Sequence, residues 1–291
     1  MACVAERSLG VTRSHLMVEL RAVDVTVLHF DTIDSTNTEA LKQARLGAEE
    51  GLCVVARQQT AGRGRNGRVW VSGKDAGLYF SIVLRPKVET QYLPLITLMA
   101  GVAVHDALAE YGIEADIKWV NDLLVGERKI CGILAETTET DRGLAVIVGI
   151  GVNLKSSNFP LELAETATSI EEELTAAGNS GGISGEALSE TLTRYISYFY
   201  VLLDSPEGPA AIVEEWRRRS SYFSGKRVRV VLDGETVNGT TDGLEPNGAL
   251  RLRKDDGEVL IVQAGDVERV RPERMEAGGR ITITGRTPFG L

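Results

Sequence analysis

The chain has 291 residues, 43% of them hydrophobic and 25% charged, enough for one large domain and a smaller one around cores that need no staple. With 41 acidic against 32 basic residues and a formal net charge of -9, most of its surface repels a polyanion, so nucleic acid is an unfavourable partner. Cys3, Cys53 and Cys131, like His15, His29 and His105, are too scattered for a zinc site or a disulfide framework, and a reducing cytoplasm suits them.

Residues 1–22 hold no apolar run behind a basic start, so no secretory signal is expected. Val23 to Phe30 alternates apolar and polar residues and predicts a strand. Thr36 and Glu39 then have capping-box spacing ahead of Ala40, Leu41 and Ala44, which predicts a helix that stops at Gly47. Its N-terminus gathers small polar side chains, suited either to plain capping or to hydrogen-bonding a polar ligand. Leu52 to Ala56 is a short buried strand leading into the most unusual stretch of the chain, Gln59-Thr60-Ala61-Gly62-Arg63-Gly64-Arg65-Asn66-Gly67-Arg68-Val69-Trp70.

Glycines let a main chain approach a ligand closely, and each guanidinium can grip a phosphate or carboxylate through paired hydrogen bonds. The stretch reads either as an anion-binding loop or as a solvated surface loop. Gly62, Gly67 and Arg68 mimic P-loop spacing, but arginine replaces the lysine, Val69 replaces the serine or threonine, and no helix pattern follows, so that motif is rejected. Gly77 to Pro86 is a strand ended by proline, and Tyr92 to Glu110 carries a helical aliphatic stripe that reads as core.

Ile117 to Glu136 reads as three short strands joined at Asn121-Asp122 and Gly126-Glu127, with Lys118 and Lys129 inside apolar runs. Such lysines are paired, serve a ligand, or lie at an exposed edge. Leu144 to Leu154 is a buried strand with Gly149 and Gly151, and it is too short to cross a bilayer, so the expectation is a soluble, cytoplasmic protein with no membrane partner. Glu162 to Ser221 turns helical, with one helix starting at Pro209 and closing on Arg217, Arg218 and Arg219. From Lys226 to Gln263, short strands separated by Asp233-Gly234, Asn247-Gly248 and Asp256-Gly257 predict a small antiparallel barrel, and the tail from Pro272 reads as loosely ordered.

Asp34-Ser35-Thr36-Asn37, Gln59 to Trp70, Lys118-Trp119-Val120-Asn121-Asp122, Arg128 to Glu136 and Gly149-Ile150-Gly151-Val152-Asn153 together resemble biotin protein ligases, in order and at family spacing. The likeness runs from residue 23 to about residue 270; Val120 stands where the family commonly has proline, and Cys131 where alanine is usual. It implies an α/β catalytic domain with a mixed sheet followed by an SH3-like barrel, divided here into an extension (1–22), the catalytic domain (23–223), the barrel (224–271) and a tail (272–291).

The resemblance also implies two half-reactions: biotin and ATP give biotinyl-5'-adenylate, and a lysine of a carrier protein then displaces AMP. Carried over by position, Ser35, Thr36, Asn37 and Gln59 would bind the biotin ring with Arg63, Gly64 and Arg65. Lys129 would contact the biotin carboxylate and the α-phosphate, making Arg65 and Lys129 the implied catalytic pair. Arg65, Arg68 and Trp70 would hold phosphates and adenine, with Lys118, Asn121, Asp122 and Asn153 at the nucleotide end and Mg²⁺ near Asn121 and Asp122.

The implied partner is the biotin carboxyl carrier protein of acetyl-CoA carboxylase or another biotin-dependent carboxylase; monomer and homodimer both stay open. No DNA is expected, because residues 1–22 are too few for the winged helix of repressor members. The alternatives are a lipoyl or octanoyl transferring relative and a non-catalytic nucleotide or biotin binder. Every anion-binding candidate lies before Leu154, so the barrel is expected to aid turnover rather than to line the pocket.

Overall fold

The computed structural model describes residues 23–269 apart from 158, 180–181, 233–234 and 264–265, so the expectations for residues 1–22 and for the tail lie outside the described residues. Seven strands form the main sheet in the order β1 (Thr26–Phe30), β2 (Leu52–Ala56), β3 (Gly77–Leu84), β7 (Gly143–Asn153), β6 (Arg128–Thr140), β5 (Asp122–Val125) and β4 (Asp116–Lys118). β1 and β2 run parallel and the other neighbours antiparallel, so the sheet is mixed.

Side-chain alternation separates the two faces of the central strands. Leu78, Phe80, Ile82 and Leu84 of β3, Val146, Val148, Ile150 and Val152 of β7, and Cys131 and Ile133 of β6 enter the large core beneath α2 (Leu95–Ala109), α4 (Gly185–Leu203) and α5 (Gly208–Arg219). The opposite face meets α1 (Thr36–Arg45), where Ala40 and Ala44 pack on Val54, Val83, Ala145 and Ile147. Each fully buried aliphatic side chain of these cores stabilises the fold by about 1.5–3 kcal/mol.

Three expectations change in detail. α2 is buried nearly all round, from Leu95 to Leu108, because it lies between the sheet and the outer helices instead of resting on one stripe. β6 is long rather than short, since β7 pairs with it from Cys131 to Thr140. The capping box does not form: Ser35 is the N-cap, Glu39 Oε1 accepts from Gln43 Nε2 at 2.7 Å, and the Thr36 amide donates to Gln59 Oε1 at 2.8 Å.

A short α3 (Ile170–Ala176), capped by the Ser169 side chain, precedes α4. Beyond α5, strands β8 (Ser224–Leu232), β9 (Glu235–Leu244), β10 (Leu250–Arg253), β11 (Val259–Val262) and β12 (Asp266–Arg269) form an antiparallel sheet in the order β11-β10-β9-β8-β12. It docks at the β4 side, where the Trp119 indole donates to the Gly248 carbonyl at 2.9 Å; the end of α5 is tied to β4 by Ser220 Oγ, which donates to the Ile117 carbonyl at 2.5 Å. Gly248 is required at this turn: its φ is 86°, and a Cβ there would lie 2.8 Å from the Leu98 side chain. The Trp119–Val120 peptide is cis. Among the described residues, no helix is long and apolar enough to cross a membrane.

Candidate active site

Alternation that sends bulky residues into the core leaves Ser81, Gly149, Gly151 and Gly132 on the α1 face of β3, β7 and β6, and these small residues keep the sheet floor low. Above it opens a cavity of about 730 Å³, a volume suited to a small ligand. Trp70 rests on that floor: a Cβ on Gly151 would come within 2.4 Å of the indole, and one on Gly132 within 2.9 Å. The buried indole N–H has no partner, and Lys129 Nζ stands 5.4 Å from the ring centroid.

The stretch from Gln59 to Trp70 folds as a hairpin over this cavity, with Gly64 donating to the Arg68 carbonyl at 2.7 Å and Trp70 donating to that of Gly62 at 3.0 Å. Its tip is a short 3-10 turn, Arg65–Gly67, in which Asn66 (φ 55°) and Gly67 (φ 73°) take left-handed conformations. The hairpin is anchored on α1 through Gln59, whose oxygen accepts from the Thr36 amide and whose nitrogen donates to Ser72 Oγ at 2.9 Å. Arg63 Nη2 pairs with Glu136 at 2.8 Å, and Arg65 Nη1 crosses to Asn121 Oδ1 at 3.1 Å.

Lys118, Asp122 and Lys129 form the charged row opposite. Asp122 sits between the two ammonium groups, 2.7 Å from Lys129 Nζ and 3.6 Å from Lys118 Nζ; the Lys129 contact is an ion pair outside hydrogen-bond alignment. Burial pushes the Asp122 carboxyl up, but Lys129 and Lys118 outweigh burial and hold it below the usual aspartate value. The donors here do not suit a protein-held Mg²⁺. Asp122 already serves two lysines, Asn121 spends its oxygen on Arg65 and its nitrogen on the Ile133 carbonyl, and no group of three or more His, Cys, Asp or Glu is gathered among the described residues.

Ser35, Thr36, Asn37, Gln59, Arg63, Gly64, Arg65, Arg68, Trp70, Lys118, Asn121, Asp122, Lys129 and Asn153 all line this one cavity. Asn153 donates to the carbonyls of Lys129 (3.2 Å) and Thr168 (3.0 Å), which ties the segment after β7 to Lys129. Sequence reasoning passed over that segment, yet Phe159, Leu163, Thr166 and Ala167 line the cavity. The apolar cluster Phe159-Pro160-Leu161 in an otherwise polar stretch was the only local signal. Tyr79 was also passed over: its hydroxyl donates to the Gly73 carbonyl at 2.9 Å, and burial first, then Asp75, raises its pKa. The expectation for the barrel needs a correction, because Arg229 of β8 and Val267 of β12 supply part of the wall, together with Tyr222 just ahead of β8.

Comparison with known proteins accords with this geometry. Residues 29–153 match the Biotin/lipoate A/B protein ligase family, and residues 223–270 match the Biotin protein ligase C terminal domain. The bifunctional ligase/repressor BirA of Bacillus spizizenii is 36% identical over 83% of this chain and 73% of its own length. The biotin--[acetyl-CoA-carboxylase] ligase of Mycobacterium tuberculosis is 34% identical over 81% of this chain and 86% of its own. The biotin protein ligase of Aquifex aeolicus, solved with biotin and ATP, superposes with a TM-score of 0.72 at 26% identity, covering 84% of this chain and 99% of that one. The chain belongs to the biotin protein ligase family and is an ATP-dependent biotin protein ligase.

Proposed function

We propose that the cavity activates biotin and passes it to a lysine of a biotin carboxyl carrier protein, with the acetyl-CoA carboxylase subunit as the carrier. One biotin carboxylate oxygen attacks the α-phosphorus of ATP, the bond to the bridging oxygen breaks, and pyrophosphate leaves with its electron pair. The carrier amine then attacks the acyl carbon, AMP leaves, and the amine gives up a proton. Two anions must meet in the first step, so fixed cations lower its barrier.

The observation that carries this reading is the meeting of Thr36 and Gln59 at one end of a single cavity with Lys118 and Lys129 at the other, and Arg65 reaching across it. Ser35, Thr36 and Gln59 take the biotin ring, and Gly64 lets the hairpin backbone close on it. Lys129 steers the carboxylate toward the α-phosphate, trading its ion pair with Asp122 for the substrate anions. Arg65, Arg68 and Trp70 hold phosphates and adenine, and Lys118 and Asn153 border the nucleotide end. Magnesium enters with the nucleotide phosphates as part of the substrate.

Biotin-dependent exchange of labelled pyrophosphate into ATP tests this reading, and exchange that does not need biotin would refute it. DNA plays no part in the proposal: a biotin-dependent gel shift on a biotin operon promoter would show otherwise.

A further inference from the structure

Asn37 is 4% exposed, and both of its amide protons and its oxygen find partners inside the protein. Its amide nitrogen donates to the Leu134 carbonyl at 3.2 Å and to Glu136 at 2.8 Å, while Oδ1 lies 2.6 Å from Ser81 Oγ. That oxygen is pressed against Gly149, where a Cβ would be only 2.0 Å from it. Ser81 and Gly149 are register partners across β3 and β7, so the sheet builds a seat for this amide.

The protons can be placed. Both partners of Asn37 Nδ2 only accept, which fixes the amide orientation, so the single Ser81 proton goes to Asn37 Oδ1. Ser81 Oγ, 2.8 Å from Thr36 Oγ1, is then left to accept. Gln59 Oε1, 3.1 Å from the same Thr36 hydroxyl, also only accepts, because it already takes the Thr36 amide proton. Of these two inward acceptors Ser81 Oγ is the nearer and is not already taken by the Thr36 amide, so the Thr36 proton goes to Ser81, and Thr36 meets a ligand as a hydrogen-bond acceptor. On the other side, Glu136 Oε2 joins Asn37 to Arg63 of the hairpin, at 2.8 Å from each.

We propose that Asn37, Ser81 and Glu136 touch no substrate atom and form a positioning relay: Ser81 sets Thr36 as the acceptor for a ring N–H of the ligand, and Glu136 holds the Arg63 limb of the hairpin over it. The resemblance assigns Asn37 to direct ring binding; the bonding assigns it to the relay. The inference rests on biotin, whose ureido ring carries such N–H groups, being the ligand of this end of the cavity.

The test is biotin affinity by titration calorimetry on the full chain, in two double-mutant cycles, with melting curves as the folding control. Ser81→Ala is expected to weaken biotin binding about tenfold in the wild-type background, the scale of one lost buried hydrogen bond, and less than about twofold in a Thr36→Val background. Glu136→Gln, on a partly exposed residue, provides the second arm: a severalfold loss that vanishes in an Arg63→Ala background. Equal losses in both backgrounds, or no loss in the single variants, overturn the relay while leaving biotin as the ligand. A wild-type chain that binds no biotin overturns the reading of the site, and the relay with it.

Discussion

Asp122→Asn removes one charge from the centre of the site at almost constant volume. At an effective dielectric of about 20, the contacts at 2.7 and 3.6 Å correspond to roughly 6 and 5 kcal/mol of attraction, against a desolvation cost of several kcal/mol for the buried carboxylate. Lys129 and Lys118 keep 33% and 21% of their side-chain surface in water, so solvent takes up part of the uncompensated charge in the variant. The loss therefore falls at the lower end of that for a broken buried pair, about 3 kcal/mol, or a Tm lower by about 6–12 °C. The sign with pH follows from the lowered carboxyl. Its stabilisation is complete above the ordinary aspartate value of 3.8 and is lost as pH falls through the lower folded value, so the gap between wild type and variant closes in acid. Denaturant melts at neutral pH and well below 3.8 measure both terms. A neutral-pH gap under about 1 kcal/mol, or a gap that persists in acid, would refute the argument.

Three further outcomes follow from the same cavity. Arg65→Gly cuts the bridge to Asn121 with little change in melting, and adenylate release in a rapid chase accelerates about 10- to 100-fold, as losing one charge-assisted contact predicts. Gly151→Ala puts a methyl within 2.4 Å of the Trp70 indole, so the indole is displaced; tryptophan fluorescence shifts and biotin affinity falls, with a stability cost of about 1–3 kcal/mol. Arg229→Ala, in β8 on the barrel's part of the cavity wall, raises the KM for ATP severalfold and leaves biotin affinity unchanged in calorimetry.

The strands of the main sheet are legible in the sequence because each is a short apolar run bounded by turn residues. Which face holds the site is less legible. Gly77–Leu84 is buried on both faces, so its text shows no alternation, and the pairing of Ser81 with Gly149 appears only once the register is set. The relay is hidden for a related reason: Asn37 and Glu136 stand 99 residues apart, and nothing local to either predicts their bond. The capping box misled because Gln59, 23 residues downstream of Thr36, reaches the helix terminus first. Lys118 and Lys129 were legible as oddities, but their shared counter-ion was not, since Asp122 reads as a turn residue until β5 places it between them.

The barrel cannot be tested by cutting it away. Val228, Val230, Leu250 and Leu252 belong to the same core as the helices, and Gly248 seats on Leu95 and Leu98. A chain ending before Gly225 would expose Leu95, Leu98 and Trp119, each now no more than 2% exposed, and would strip the indole N–H of its acceptor. At about 1.5–3 kcal/mol for each side chain, that loss is comparable with the whole stability of about 5–15 kcal/mol expected for a folded protein. The truncated chain should therefore melt far below the full one, and its biotin binding should fall with the folded fraction rather than through a missing contact. A truncation that melts within a few degrees of the full chain would show that the two sheets are energetically separate, in which case the barrel's stake in the cavity would reduce to wall residues such as Arg229 and Val267.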